Sequence, residues 1–328
     1  MDKNNLKLRN RFVDDFNLPV SVLDSPYFEY QLELYNPYNS ANTKWESLIS
    51  LIDENYGGNE NLFLEDYYHC RNKIITSIEE SDSYKEFISS SMDRYTIPSN
   101  SKFHTTGKSS VYNAESHGKH FLSIDLKQAN YHALKYHNPE LVNNTDNYED
   151  FIKYHLGYNH PLITYFSESK YTRQIIFGKL NMSRNVTIQN YLIYKIYNFL
   201  SKHDEKGVKI HSRQADELIL EIEDLNTLQK TYLLGYIEIV DIPVKTQFYR
   251  LEKHNFETSS GKIFSVYLKY DRLLLLLFLE EIKCCPIAYF PQVYKLLTDQ
   301  EISKNDLVFY YEKNLCNFLY PIKNCKFN

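Results

Sequence analysis

The sequence predicts an α+β fold in which an antiparallel sheet is backed by helices and preceded by a helical lobe. Three observations predict it. The periodicities of residues 102–255 run strand, helix, helix, hairpin, helix, strand. The first hundred residues carry helical spacing and helix-stop signals. A chain of 328 residues is long enough for a substantial core and for two or three lobes.

The elements follow in order. TKWESLISLIDENYGG, from Thr43, has apolar residues at helical spacing and stops at the Gly57–Gly58 pair, and LEDYYHCRNKIITSIEES, from Leu64, continues in kind. Residues 1–101 are therefore expected to form a helical lobe. The stretch 97–120 is too rich in Ser, Thr, Asn and Gly for regular structure and is expected to be a junction or a functional loop. HFLSIDL (120–126) predicts a strand, and QANYHALKYH (128–137) a helix starting directly from its end. Asp125 thereby falls at the C-terminal edge of a buried strand. Residues 147–180 keep a helical pattern broken at Gly157 and Pro161, and RNVTIQNYLIYKIYNFLSKH (184–203) predicts a long amphipathic helix through Ile188, Leu192, Ile196 and Phe199. GVKIHSR (207–213) and ELILEIED (217–224) predict a hairpin with Asp216 near its turn. LNTLQKTYLLGY (225–236) reads as a helix and VDIPVKTQFYR (240–250) as a closing strand. From residue 256 onward the Tyr-, Leu- and Lys-rich extension reads as mostly helical.

Composition narrows the function classes. The most apolar run, LLLLLFLEEI from Leu273, meets acids after about eight residues, short of a membrane span. The N-terminus has no apolar segment of the kind a secretory signal needs. The expectation is a soluble protein of the cytoplasm, including that of a virus-infected host, with no membrane partner. Cys70, Cys284, Cys285, Cys316 and Cys325 give neither an even disulfide framework nor a CxxC pair, so free thiols are expected, with a zinc site as the lesser alternative. A net charge of −5 means that a nucleic-acid partner must be held by local basic surface. Residues 169–213 supply one: nine Lys or Arg stand there against Asp204 and Glu205. The plain alternative is a solvated helical face.

Two acids at strand ends carry the chemistry. A buried carboxylate without a partner is costly, and a divalent cation removes that cost. Asp125 and Asp216 on rigid strands suit a pair of Mg²⁺ ions roughly 3.5–4 Å apart, with Mn²⁺ as the alternative ion.

Four stretches then occur in a telling order: TTGKSSVYN (105–113), SIDLKQANYHAL (123–134), RNVTIQNYLIYK (184–195) and QADELILEI (214–222). They resemble segments of the family A DNA polymerases, the DNA polymerase I type, which read TGRLSS…PNLQN, DYSQIELR (motif A), N-x-x-x-Q and VHDELVFEV (motif C). DIPVKTQFYR resembles the last strand of that family's palm, and together the matches cover residues 102–255, about half the chain.

The resemblance implies a right-hand polymerase palm with a thumb-like N-terminal lobe (1–101), reduced fingers (about 138–184) and an extension (256–328). It implies a template-directed DNA polymerase that extends a primer 3′-hydroxyl with nucleoside triphosphates, with primer-template nucleic acid and a processivity or replisome partner. Residue by residue, Asp125, Asp216 and the carbonyl of Leu126 fall on the metal ligands, with Glu217 as a supporting catalytic acid. Gln128 and Asn130 fall at the nucleotide. In KYTRQIIFGKLN, Lys170 and Arg173 match the triphosphate grip, and Phe177, on the same helical face, matches the aromatic that packs on the incoming base. Thr106, Lys108 and Ser109 match the primer-template backbone contacts. Asn185 and Gln189, four apart on one helix face, match the minor-groove pair, with a solvent-facing polar stripe as the plain alternative.

The chain departs from the family in several places. Lys108 replaces an Arg and loses bidentate geometry, and Asn130 replaces a sugar-discriminating Glu. Ala215 replaces a His, and Arg173 and Asn185 stand twelve apart where the family carries a long fingers insertion. No exonuclease module is expected. The remaining alternatives are a primase-like, RNA-making or template-independent nucleotidyltransferase, a non-catalytic nucleic-acid-binding subunit, and a structural α+β protein with coincidental motifs.

Overall fold

The computed structural model describes residues 4–104, 110–203, 208–222, 243–271, 278–312 and 314–325. The expected helix 225–236 and the apolar run from Leu273 to Leu277 lie outside the described residues.

A mixed α+β architecture is present. Five helices open the chain: α1 (Asn4–Phe16), α2 (Tyr27–Asn39), α3 (Ala41–Tyr56), α4 (Glu60–Glu79) and α5 (Asp82–Ser89). The Gly57–Gly58 stop acts as expected, because Gly57 ends α3 at φ 60°, where a Cβ would be strained. Strand β1 (His120–Leu126) turns directly into α6 (Ala129–His137). Helices α7 (Tyr148–Leu156), α8 (Ile163–Glu168), α9 (Lys170–Gly178) and α10 (Met182–His203) follow, α7 ending at Gly157 with φ 90°. The hairpin β2 (Val208–Arg213) and β3 (Glu217–Ile222) precedes β4 (Val244–Glu257).

The remainder corrects the sequence expectation. Among its described residues the extension holds more strand than helix: β5 (Ile263–Asp271), β6 (Phe278–Lys283), the small hairpin β7 (Val308–Tyr311) and β8 (Asn314–Asn317), and β9 (Lys323–Cys325), with one α-helix of eight residues, α11 (Phe290–Leu297). Val266 and Leu268 face one side of β5 and Tyr267 and Lys269 the other, and all four are buried. Cover on both faces erases the hydrophobic alternation that would have announced a strand.

Among the described residues all strand pairings are antiparallel. The main sheet runs β2-β3-β1-β4-β5-β6, with β9 on β4. One face carries Leu122, Ile124 and Leu126 from β1 with Leu218, Leu220 and Ile222 from β3, in the same core as Ile188, Leu192 and Ile196 of α10. Each such buried side chain contributes about 1.5–3 kcal/mol. The other face carries Phe121, Ile219, Tyr249, Leu251 and Tyr267, which pack with Val111 of the preceding loop. Period-two alternation therefore puts Ser123 and Asp125 on this second face.

A buried polar hub joins the N-terminal helices to the helices before the hairpin. The carboxylate of Asp15, fully buried in α1, accepts from Arg11 Nε at 2.9 Å, Tyr165 OH at 2.7 Å, Ser169 Oγ at 3.0 Å and Thr172 Oγ1 at 3.1 Å. Ser169 also caps α9, its Oγ accepting from the Thr172 N–H. The start of α9 is thus tied to α1.

Candidate active site

Strand pairing brings the two predicted aspartates together. Asp125 stands opposite Glu217 in the β1–β3 register, and the Leu126 N–H donates to the Asp216 carbonyl at 2.8 Å. The turn holding Asp216 is closed by the Gln214 N–H on the Glu217 carbonyl at 2.8 Å. Both carboxylates line one cleft of about 490 Å³. Residues 125 and 216, ninety-one positions apart in the chain, meet because β1 is sandwiched between β3 and β4.

The rest of the cleft is cationic and polar. Lys170, Arg173 and Gln174 come from the first turn and a half of α9, Lys127 and His132 from the β1–α6 segment, and Lys245 from β4 opposite Asp125. Leu126, Gln128 and Asn130 line it as well. Gln128 adopts φ 46°, a left-handed conformation unfavourable for a residue with a Cβ. That conformation lets the chain leave β1 and enter α6 within two residues, at the floor of the cleft.

Electrostatics mark the same place. The Asp125 carboxyl is pushed up to about 6, first by burial and then by the charges of Asp216 and Glu217, while Lys170 and Lys245 pull it down. The His132 imidazole is pushed down to about 4 by burial, reinforced by Lys135, Arg173 and Lys127. Burial lowers the affinity of Arg173 for its proton, and its guanidinium lies 5.4 Å from the centroid of the Tyr148 ring.

Several predicted roles change. Glu217, expected as a supporting acid, does not line the cleft: its Oε1 accepts from Ser123 Oγ at 2.6 Å while its charge acts on Asp125 from the neighbouring strand. Phe177 is fully buried against Tyr131, Tyr148 and Phe151 and cannot pack on an incoming base. Seven residues advance a helix by roughly 10 Å, which takes residue 177 past the cleft and into the core. Asn185 and Gln189 are neither a solvent-facing stripe nor a surface for a duplex: they are 1% and 4% exposed. Gln189 Nε2 donates instead to Asn130 Oδ1 at 2.7 Å, fixing the Asn130 amide from behind. Thr106, Lys108 and Ser109 lie outside the described residues.

Sequence reasoning missed Lys127, His132, Gln174 and Lys245. Lys245 could have been found by pairing the closing strand with β1; the others sit within quoted motifs but match no family role.

No protein-family model, curated protein or solved structure matches this chain. None of the described helices is long and apolar enough to cross a membrane.

Proposed function

We propose that the chain is a divalent-cation-dependent nucleotidyltransferase that extends a nucleic-acid 3′-hydroxyl with nucleoside triphosphates, of the template-directed family A DNA polymerase type. The observation that carries this reading is the convergence of Asp125 and Asp216 on a cleft whose remaining walls are lined by Lys127, Lys170, Arg173 and Lys245. A triphosphate is the substrate that needs both halves of such a cleft.

The donors fit Mg²⁺. Asp125, Asp216 and the Leu126 carbonyl offer oxygen alone, the set a hard cation takes, and the raised Asp125 carboxyl is a cost that a cation relieves. When bound, Mg²⁺ or Mn²⁺ lowers the pKa of the attacking hydroxyl and neutralises the departing pyrophosphate. The chain's own residues do the positioning. Lys170 and Arg173 hold the triphosphate from α9, Arg173 prealigned on Tyr148. Lys127 and Lys245 add positive charge at the carboxylate end. Asn130, braced by Gln189, sits where the sugar enters, and the short neutral amide leaves room for a 2′-hydroxyl. That last feature favours a second reading in which ribonucleotides are also used. The segment with Thr106, Lys108 and Ser109 is proposed to hold the primer-template backbone.

The experiment is primer extension with and without template, run in parallel with deoxy- and ribonucleotides, on wild type and on Asp125→Asn/Asp216→Asn. Extension by the double variant at the wild-type rate would end the proposal. Equal use of both sugars would select the second reading, and extension without template would select a template-independent enzyme.

A further inference from the structure

We infer that Asp66, Cys70 and His160 form a binding site for a zinc-class divalent cation, joining α4 to the loop between α7 and α8. The inference is independent of the polymerase reading. Asp66 and Cys70 are four residues apart in α4 and so share a face. The α7–α8 loop brings His160 to that face, with Nε2 at 3.7 Å from Asp66 Oδ2 and 3.6 Å from Cys70 Sγ. Cys70 Sγ lies 3.4 Å from Asp66 Oδ1. Zinc bonds of ~2.3 Å to sulfur and ~2.0 Å to nitrogen or oxygen, at tetrahedral angles, set ligand atoms roughly 3.3–3.6 Å apart. The two short distances to Asp66 involve different carboxylate oxygens; with one ligand atom from each residue, the three side chains, up to ninety-four positions apart, lie within 4.8 Å of one another, so modest side-chain rotation closes them onto one ion. Among the described residues, no other three His, Cys, Asp or Glu side chains converge in this way.

The chemistry selects the cation. A thiol and an imidazole favour zinc over magnesium, in contrast to the oxygen donors at Asp125 and Asp216. Tyr56 OH donates to Asp66 Oδ2 at 2.6 Å, an outer contact of the kind that orients a ligating carboxylate. Asp66 and His160 keep about a quarter of their side-chain surface exposed (28% and 23%), which leaves a fourth position open to water.

Burial and Asp66 hold the Cys70 thiol protonated, pushed up to about 12, so uptake releases that proton to solvent as the sulfur–metal bond forms. The Leu162 N–H donates to His160 Nδ1 at 3.2 Å, so the ring carries its proton on Nε2 in the metal-free form. Ligation through Nε2 moves that proton to Nδ1 and gives up the Leu162 bond. One neutral hydrogen bond is a small loss beside new bonds from a dication to thiolate and imidazole.

The test uses the full chain, stripped with a chelator and titrated with Zn²⁺ alone. Wild type should bind one equivalent with a rise in Tm, and Co²⁺ should give a thiolate-to-metal absorption band. Cys70→Ala and His160→Ala should each weaken binding by more than about 100-fold and abolish the band, and Tyr56→Phe should weaken it about tenfold. The Leu162 amide resonance should shift on zinc binding in wild type. Should Cys70→Ala fail to fold, His160→Ala, altered in a surface loop, carries the comparison. Wild type that takes up no zinc overturns the inference. So does undiminished binding in both variants, which would place the metal on other thiols such as Cys284 and Cys285.

Discussion

Asp15 and Asp125 are both carboxylates withdrawn from water, and burial raises the pKa of each. They differ in what surrounds them. Asp15 has a guanidinium and hydroxyls of Tyr165, Ser169 and Thr172 aimed at its oxygens, and these pull its pKa back down. Asp125 has two further acids beside it, with Lys245 on the paired strand and Lys170 on α9 as the cations acting on it. A carboxylate whose lone pairs are filled by its own fold is architecture. One left beside like charge, facing open space, is prepared for something that arrives from solution.

The sharpest way to break this comparison is substitution at each site. Asp125→Asn or Asp216→Asn should reduce primer extension by roughly 10⁴-fold while the far-UV circular dichroism stays that of wild type. A similar rate loss from Asp15→Ala at unchanged stability would erase the distinction. Asp15→Ala should instead cost about 3–5 kcal/mol in urea denaturation, because it strands the buried Arg11 guanidinium. Asp125→Asn without cation should not destabilise the fold, and above about pH 6 it should be more stable than wild type, because the amide lacks the buried charge.

Next in size, Lys170→Ala and Arg173→Ala should each raise the nucleotide KM by about tenfold with a smaller effect on kcat, as expected for groups that grip the triphosphate. Steady-state kinetics at saturating primer read this out. An unchanged KM in both would remove α9 from the nucleotide site.

The smallest effect sharpens the electrostatics. Folded Asp125 keeps its proton to about pH 6, whereas an unfolded aspartate releases it near ~3.9. The folded state binds more protons across that window, so the Asp125 contribution to cation-free stability is present below ~3.9 and is lost as pH rises through about 6. Urea titrations of wild type and Asp125→Asn should diverge there. Carboxyl ¹³C NMR should place the Asp125 midpoint near 6 and lower in Asp216→Asn, since Asp216 is the largest neighbouring charge acting on it. A midpoint near 4 in wild type would return Asp125 to the class of ordinary solvated acids.

Sequence alone carried the reader to the right strands. HFLSIDL and ELILEI alternate or run apolar between clear breaks, so β1, the hairpin and the positions of Asp125 and Asp216 at their ends were legible. What lay beyond reach was anything set by helix rotation against the body. Lys170, Arg173 and Phe177 share a face on paper, but the cleft wall is only the first part of α9, and Phe177 belongs to an aromatic cluster with Tyr148 and Phe151. Asn185 and Gln189 are polar residues on an amphipathic helix, and nothing local reveals that α6 brings Asn130 to Gln189. The Asp66–Cys70–His160 convergence was equally hidden, since the third member comes from a loop ninety residues after Cys70. The extension misleads for another reason: the middle of β5 is covered on both faces and β7, β8 and β9 are short and mostly exposed, so none of these shows a clear apolar alternation.

Strand β4 has fourteen residues and serves three neighbours: β1 along its first half, and β5 and β9 along its second. A chain cut after Glu257 would keep every proposed catalytic residue yet leave the far half of β4 as a raw edge, with Leu251 and Phe256 stripped of cover. Such a truncation should self-associate rather than yield a minimal enzyme, and light scattering on the shortened protein would show it.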